Sequence, residues 1–153
     1  MQKKWKQLLA CLAIPLAAGG LSALLSRKGM KEFAFLHKPP LSPPAWLFPV
    51  AWTILFLLMG LASWLVLRQD RRPRAALPVY GVQLFFNFFW SLLFFRWGLF
   101  WPALAWLAAL WGLIVGTIVL FRKARPAAGW LLVPYLLWVS FAAYLNAGIW
   151  LLN

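Results

Sequence analysis

Residues 45–67, AWLFPVAWTILFLLMGLASWLVL, run for 23 positions without a charge. They follow a segment that cannot be helical. Pro39, Pro40, Pro43 and Pro44 each lack a backbone donor and push the preceding residue toward extended conformations. An apolar run of this length crosses a hydrocarbon core of ~30 Å. Inside lipid its backbone groups must be paired within the segment, which makes it a helix. Similar runs occupy about 8–25, 77–95, 101–121 and 130–152. The expected fold is therefore all-α, a five-transmembrane-helix bundle forming one domain over residues 1–153, with 26–44 as a lid. The chain is 65% hydrophobic with two acids, Glu32 and Asp70. A soluble domain of this size could not hide that much apolar surface.

A net charge of +13 raises the question of nucleic acid. The cations, however, fall in short clusters between spans, where positive-inside signals and lipid headgroup contacts lie, so nucleic acid is not expected as a partner. Lys3, Lys4, Lys6, Arg68, Arg71, Arg72, Arg74, Arg122, Lys123 and Arg125 share one side of a five-span topology, against five Lys and Arg on the other. This places the N-terminus in the cytoplasm, with the proline loop and the C-terminus outside. Cys11 stands alone and forms no internal disulfide.

The first apolar run has the outline of a signal peptide, a basic start followed by an apolar centre and small residues at Ala17, Ala18, Gly19 and Gly20. It continues apolar through Leu25, though, far enough for a short span, and Pro15 is expected to kink it. The connection that follows alternates cations with Phe33, Phe35 and Leu36, as an interfacial segment does. His37 has no second ligand placed to complete a metal site and reads as a solvated loop residue.

Gln83, Asn87 and Ser91 recur every four residues and share one face of the third span, with Trp90 and Phe94 beside it. Amides in hydrocarbon need partners, so that face points into the bundle. It serves there as interhelical glue, as a polar spot in a ligand pocket, or as both. Gly112 and Gly116 form a small-xxx-small pair, suited equally to packing within the chain and to dimerisation. In the fifth span Trp138, Ala142, Leu145 and Ile149 share a face.

No acid lies inside a span, and no phosphate loop, nucleophile elbow, carboxylate pair or metal spacing is present. Aromatic surface remains. Trp46, Trp97, Trp101, Trp130 and Trp150 sit at span ends as interface anchors. Trp52 and Trp138 lie inside their spans, where they either fill the core or line a pocket for a flat hydrophobic ligand.

One series of motifs runs Lys38-Pro39, Pro43-Pro44, Trp46, Trp52, Met59-Gly60, Gln83-xxx-Asn87-xx-Trp90, Pro134-Tyr135-xx-Trp138-xx-Phe141-Ala142 and Leu145-Asn146-xxx-Trp150-xx-Asn153. In order and spacing, from about Pro15 onward, it resembles the tryptophan-rich sensory protein family, which includes the mitochondrial translocator protein or peripheral benzodiazepine receptor. The resemblance implies a usually dimeric five-helix bundle that binds porphyrins and, in animals, cholesterol and drug-like ligands, in a pocket below the first loop. It assigns ligand binding to Trp52, Asn87, Trp138 and Ala142, with Gln83 and Trp90 close by. Trp52 and Trp138 would stack on the ligand, Gln83 and Asn87 would hydrogen-bond it, and Ala142 would keep space open. No cofactor is required, and a protoporphyrin IX-like porphyrin is expected as ligand, with membrane lipid as the other partner.

The alternatives are light-dependent porphyrin degradation, with Trp52 and Trp138 in the catalytic role, and a small carrier of porphyrin or lipid-like ligands. The chain departs from the family pattern at Glu32-Phe33, Leu41 and Trp106. It departs again at Ala147 and Leu151, where the animal cholesterol motif has Tyr and Arg, which leaves sterol binding open. Its compact loops point to a bacterial cell membrane.

Overall fold

The computed structural model describes residues 2–153. The elements are α1 (Gln2–Leu25), α2 (Arg27–Phe33), α3 (Leu47–Leu67), α4 (Ala76–Ser91), α5 (Phe100–Ala124), α6 (Pro126–Leu131) and α7 (Val133–Leu152). A single π-helical turn, Leu92–Arg96, carries α4 to its end. Among the described residues, five stretches are long and apolar enough to cross a membrane: α1, α3, α4 with its π turn, α5, and α6 with α7. The chain is an integral membrane protein built on the expected five spans.

Each boundary that moved has a local cause. The first span starts at Gln2, so its lysines extend a continuous helix, and Pro15 is buried within it without breaking it. The fifth span opens with the short α6, begun by Pro126 after the extended Arg125. It restarts at Val133 because Pro134 has no N–H to continue a ladder and sits harmlessly in a first turn. Part of the expected loop is helical, since residues 27–33 form α2 lying against the π turn.

The spans pack chiefly as α1 on α3, α4 on α5 and α5 on α7, with α6 also reaching α3. At the α1–α3 crossing, a Cβ on Gly60 would stand 2.7 Å from the Cys11 carbonyl oxygen and from the Leu12 Cα, so glycine sets how closely these backbones approach. The core runs through Met59, Leu107, Leu110, Ile114, Phe121 and Tyr135. Trp46, Trp97, Trp101, Trp130 and Trp150 are exposed at the ends of their helices, as interface anchors are.

Candidate ligand-binding cavity

The polar stripe of α4 sorts itself by depth. Gln83, 1% exposed, accepts a hydrogen bond at Oε1 from the Tyr135 hydroxyl at 2.8 Å. The same hydroxyl oxygen accepts from Asn87 Nδ2 at 2.7 Å. One turn further along, Trp90 Nε1–H donates to Asn146 Oδ1 at 3.1 Å, and Asn146 Nδ2 donates to the Phe100 carbonyl at 2.9 Å. α4 is thereby tied to α7 at two levels, and Trp90 is held as a fixed wall. Replacing Asn146 by Leu leaves the buried Trp90 indole N–H unpaired and removes the bond from α7 to the Phe100 carbonyl of α5. A loss of about 1–3 kcal/mol is expected, read as a lower melting temperature in detergent.

Above the Tyr135 level a cavity of about 290 Å³ opens between α1, α3, α4 and α7. Trp52, Asn87, Trp90, Trp138 and Ala142 all line it. Gln83, expected to meet a ligand directly, is not among the lining residues. Tyr135 holds its Oε1, so any influence on a ligand passes through Tyr135 and Asn87. Asn87 gives one Nδ2–H to Tyr135, and its Oδ1, on the opposite side of the amide, takes no hydrogen bond from the chain.

The aromatic walls have a defined arrangement. Trp52 stacks on Phe56 at 5.6 Å between ring centroids and stands at 90° to Trp138 at 6.4 Å. Trp90 lies 6.2 Å from Trp52, and Phe48 meets Trp138 edge-on at 5.9 Å. The two indoles singled out in the sequence do share the cavity, but perpendicular planes mean that one flat ligand lies face-on to one of them and edge-on to the other. Both contacts are favourable for aromatic quadrupoles.

The roof is built on a residue that patterning placed in an interfacial segment and that the fold buries. Phe33, on the last turn of α2, is buried against Phe48 at 5.8 Å and Phe95 at 5.6 Å. The Lys38 ammonium lies 4.8 Å over its ring. Phe33 is one of the departures from the family pattern, and here it supplies the aromatic plug. Leu41, another departure, is 84% exposed at φ +70° and takes no part in the cavity lining.

The lid is fastened to the far end of α7. The Tyr144 hydroxyl donates to the Pro40 carbonyl at 2.6 Å. Asn153 Nδ2 donates to the His37 carbonyl at 2.8 Å, and its Oδ1 accepts from the His37 N–H at 3.2 Å. Pro39 seats against Gly148, where no side chain stands in its way. A cavity of this volume is at the low end for drug-sized ligands, so a larger one enters by lifting the lid. Tyr144→Phe with Asn153→Ala removes the three hydrogen bonds that hold the lid to α7, and ligand association and dissociation are both expected to accelerate about tenfold with little change in Kd. Stopped-flow mixing measures both rates.

Comparison of the sequence with known proteins places the chain in a family. The profile of the TspO/MBR family matches residues 11–151. The chain belongs to the TspO/MBR family. It is 38% identical to the tryptophan-rich protein TspO of Chlorobaculum tepidum, over 100% of this chain and 99% of that one. It is 37% identical to the tryptophan-rich sensory protein of Cereibacter sphaeroides, over 95% of this chain and 90% of its relative. Against the translocator protein of Bos taurus it is 31% identical, over 98% of this chain and 92% of the bovine protein. As a family member, the chain carries its aromatic cavity on the same segments as the motif series that signalled the family.

Proposed function

We propose that this protein is a membrane receptor for porphyrins and related flat hydrophobic ligands, held in the cavity between α1, α3, α4 and α7. The observation that carries this reading is the cavity itself. It has indole walls at Trp52, Trp90 and Trp138, one amide at Asn87, open space beside the small Ala142 and an aromatic plug at Phe33 under a latched lid. A large aromatic ring system gains stacking area there, and the few polar groups orient it. Gln83 acts at one remove, by holding Tyr135 and through it Asn87. The test is an absorbance titration of protoporphyrin IX in darkness. The expected result is a saturable Soret shift with one porphyrin per chain; a shift that rises linearly without saturating contradicts the reading.

Light-dependent porphyrin breakdown is the second reading, favoured by one observation. Trp52 lies within 6.2 Å of Trp90 and 6.4 Å of Trp138, a cluster over which an electron vacancy left by a photo-excited ligand can spread. Illuminating the saturated complex distinguishes the readings, because degradation removes the Soret band in light and not in darkness. In the membrane, the positive-inside pattern favours a cytoplasmic N-terminus, with lid and C-terminus outside. A homodimer in a bacterial cell membrane is the assembly we favour. Gly112 and Gly116 support it, since neither has a neighbour within 4 Å of where a Cβ would stand, so both are open to close helix contact from outside the chain.

A further inference from the structure

The Gln83–Tyr135–Asn87 chain contains an unsettled account. Gln83 Nε2 is buried with no partner, although both its N–H groups need one. In the observed direction the Tyr135 hydroxyl donates to Gln83 Oε1 and accepts from Asn87 Nδ2. A hydroxyl can donate either way, and each amide can exchange its oxygen and nitrogen by a half turn. Reversing all three gives Gln83 Nε2–H donating to Tyr135, and Tyr135 donating to Asn87 Oδ1. One Gln83 Nε2–H is then paired, and the groups left alone are its second N–H and the Gln83 carbonyl in place of two N–H groups, so the two directions are closely balanced. At the cavity end the reversal exchanges an acceptor for a donor. Asn87 shows Oδ1 in one direction and Nδ2–H in the other.

We infer that Gln83, Tyr135 and Asn87 form a reversible hydrogen-bond relay that sets the polarity of the cavity wall, so the site takes flat aromatic ligands presenting either a donor or an acceptor edge. Tyr135 and Gln83 are the specificity-setting positions, although neither lines the cavity. With a donor edge against Asn87 Oδ1, the relay stays as observed and Gln83 Nε2 is unpaired. With an acceptor edge against Asn87 Nδ2, the relay reverses and Gln83 Nε2 becomes bonded. A site that adapts in this way discriminates by shape and stacking more than by hydrogen-bond sense. The inference rests on the cavity being a ligand site.

The test uses two flat tricyclic probes of similar outline: carbazole, whose N–H only donates, and acridine, whose nitrogen only accepts, at a pH where acridine is neutral. Wild-type protein is expected to bind both within about threefold. Gln83→Met removes the acceptor for the Tyr135 hydroxyl, which then donates to Asn87 Oδ1 and turns Nδ2 to the cavity. The acridine-to-carbazole affinity ratio should rise about tenfold, the size of one hydrogen bond. In a Tyr135→Phe background the same substitution should leave the ratio unchanged, because the message has no carrier.

A readout without mutation is the Gln83 side-chain amide in the wild-type complexes, followed by NMR, whose protons should lie further downfield with acridine than with carbazole. An unchanged ratio in Gln83→Met, a changed one that persists without Tyr135, identical Gln83 resonances in both complexes, or failure of either probe to bind overturns the relay. Protoporphyrin binding is scored separately: a relay that responds in protein that does not bind protoporphyrin overturns the porphyrin reading and leaves the relay standing.

Discussion

Ala142→Trp is expected to abolish porphyrin binding, with Kd rising about 100-fold or more, equal to ~2.7 kcal/mol, while the helical content is unchanged. Ala142 is a buried residue of α7 that lines the cavity with Trp52 and Trp138. An indole there points into space of about 290 Å³ that a ligand's ring system would need. The substituted side chain fills existing volume, so its overpacking penalty on the fold is at the low end of ~1–3 kcal/mol. The contrast between lost binding and kept fold is the informative part, and it is read by porphyrin titration beside far-ultraviolet circular dichroism. A conservative Ala142→Ser change should reduce binding by less than about threefold, because it adds one atom and a hydroxyl that can bond back to its own helix.

The second large effect is expected at Gly29→Ala. A Cβ at this position would run into the Phe95 carbonyl, which is rigid backbone of the π turn rather than a side chain that can swing away. α2 therefore has to lift off the turn and take the Phe33 plug with it. The expected destabilisation is about 3 kcal/mol or more, or a fall of roughly 6–12 °C in melting temperature for a chain of this size. The neighbouring contacts locate the damage. Arg96 Nη1 donates to the Leu25 carbonyl at 2.9 Å, and Ser22 Oγ donates to the Phe88 carbonyl at 3.1 Å, so the end of α1 stays fixed to α4 and its π turn while α2 lifts. Porphyrin should then exchange faster in whatever fraction remains folded. A thermal melt within 2–3 °C of wild type would mean that α2 is not seated on the π turn as described.

Much of this is legible in the sequence. Long charge-free runs have one physical solution in lipid, and so the five spans and their order follow from the apolar pattern. The fourfold spacing of Gln83, Asn87 and Ser91 also predicted an inward polar face, and burial of the two amides bears that out. The failures are of a different kind. Spacing places Gln83 and Asn87 on one face and is silent about depth along it, which is what separates a residue behind the cavity from one in its wall. Tyr135 stands in the motif series, three residues before Trp138, but nothing in the apolar run around it marks it as the residue that joins Gln83 to Asn87. Relative ring orientation has no sequence signature, so the right angle between Trp52 and Trp138 was out of reach. α2 is only seven residues long, too short for periodicity to distinguish it from loop, and its position depends on a glycine against a carbonyl elsewhere in the chain.

The central claim is that these aromatic walls bind a flat porphyrin, and its most direct measurement is a dark titration of protoporphyrin IX into purified protein, followed by quenching of tryptophan fluorescence. Wild type should quench saturably. The Trp52→Phe, Trp138→Phe double variant keeps ring faces of smaller area and should bind about 10- to 30-fold more weakly, with the Trp52→Ala, Trp138→Ala double variant weaker still. Equal affinity in wild type and both double variants would contradict the account, because the ligand would then be bound away from the cavity that Trp52 and Trp138 line.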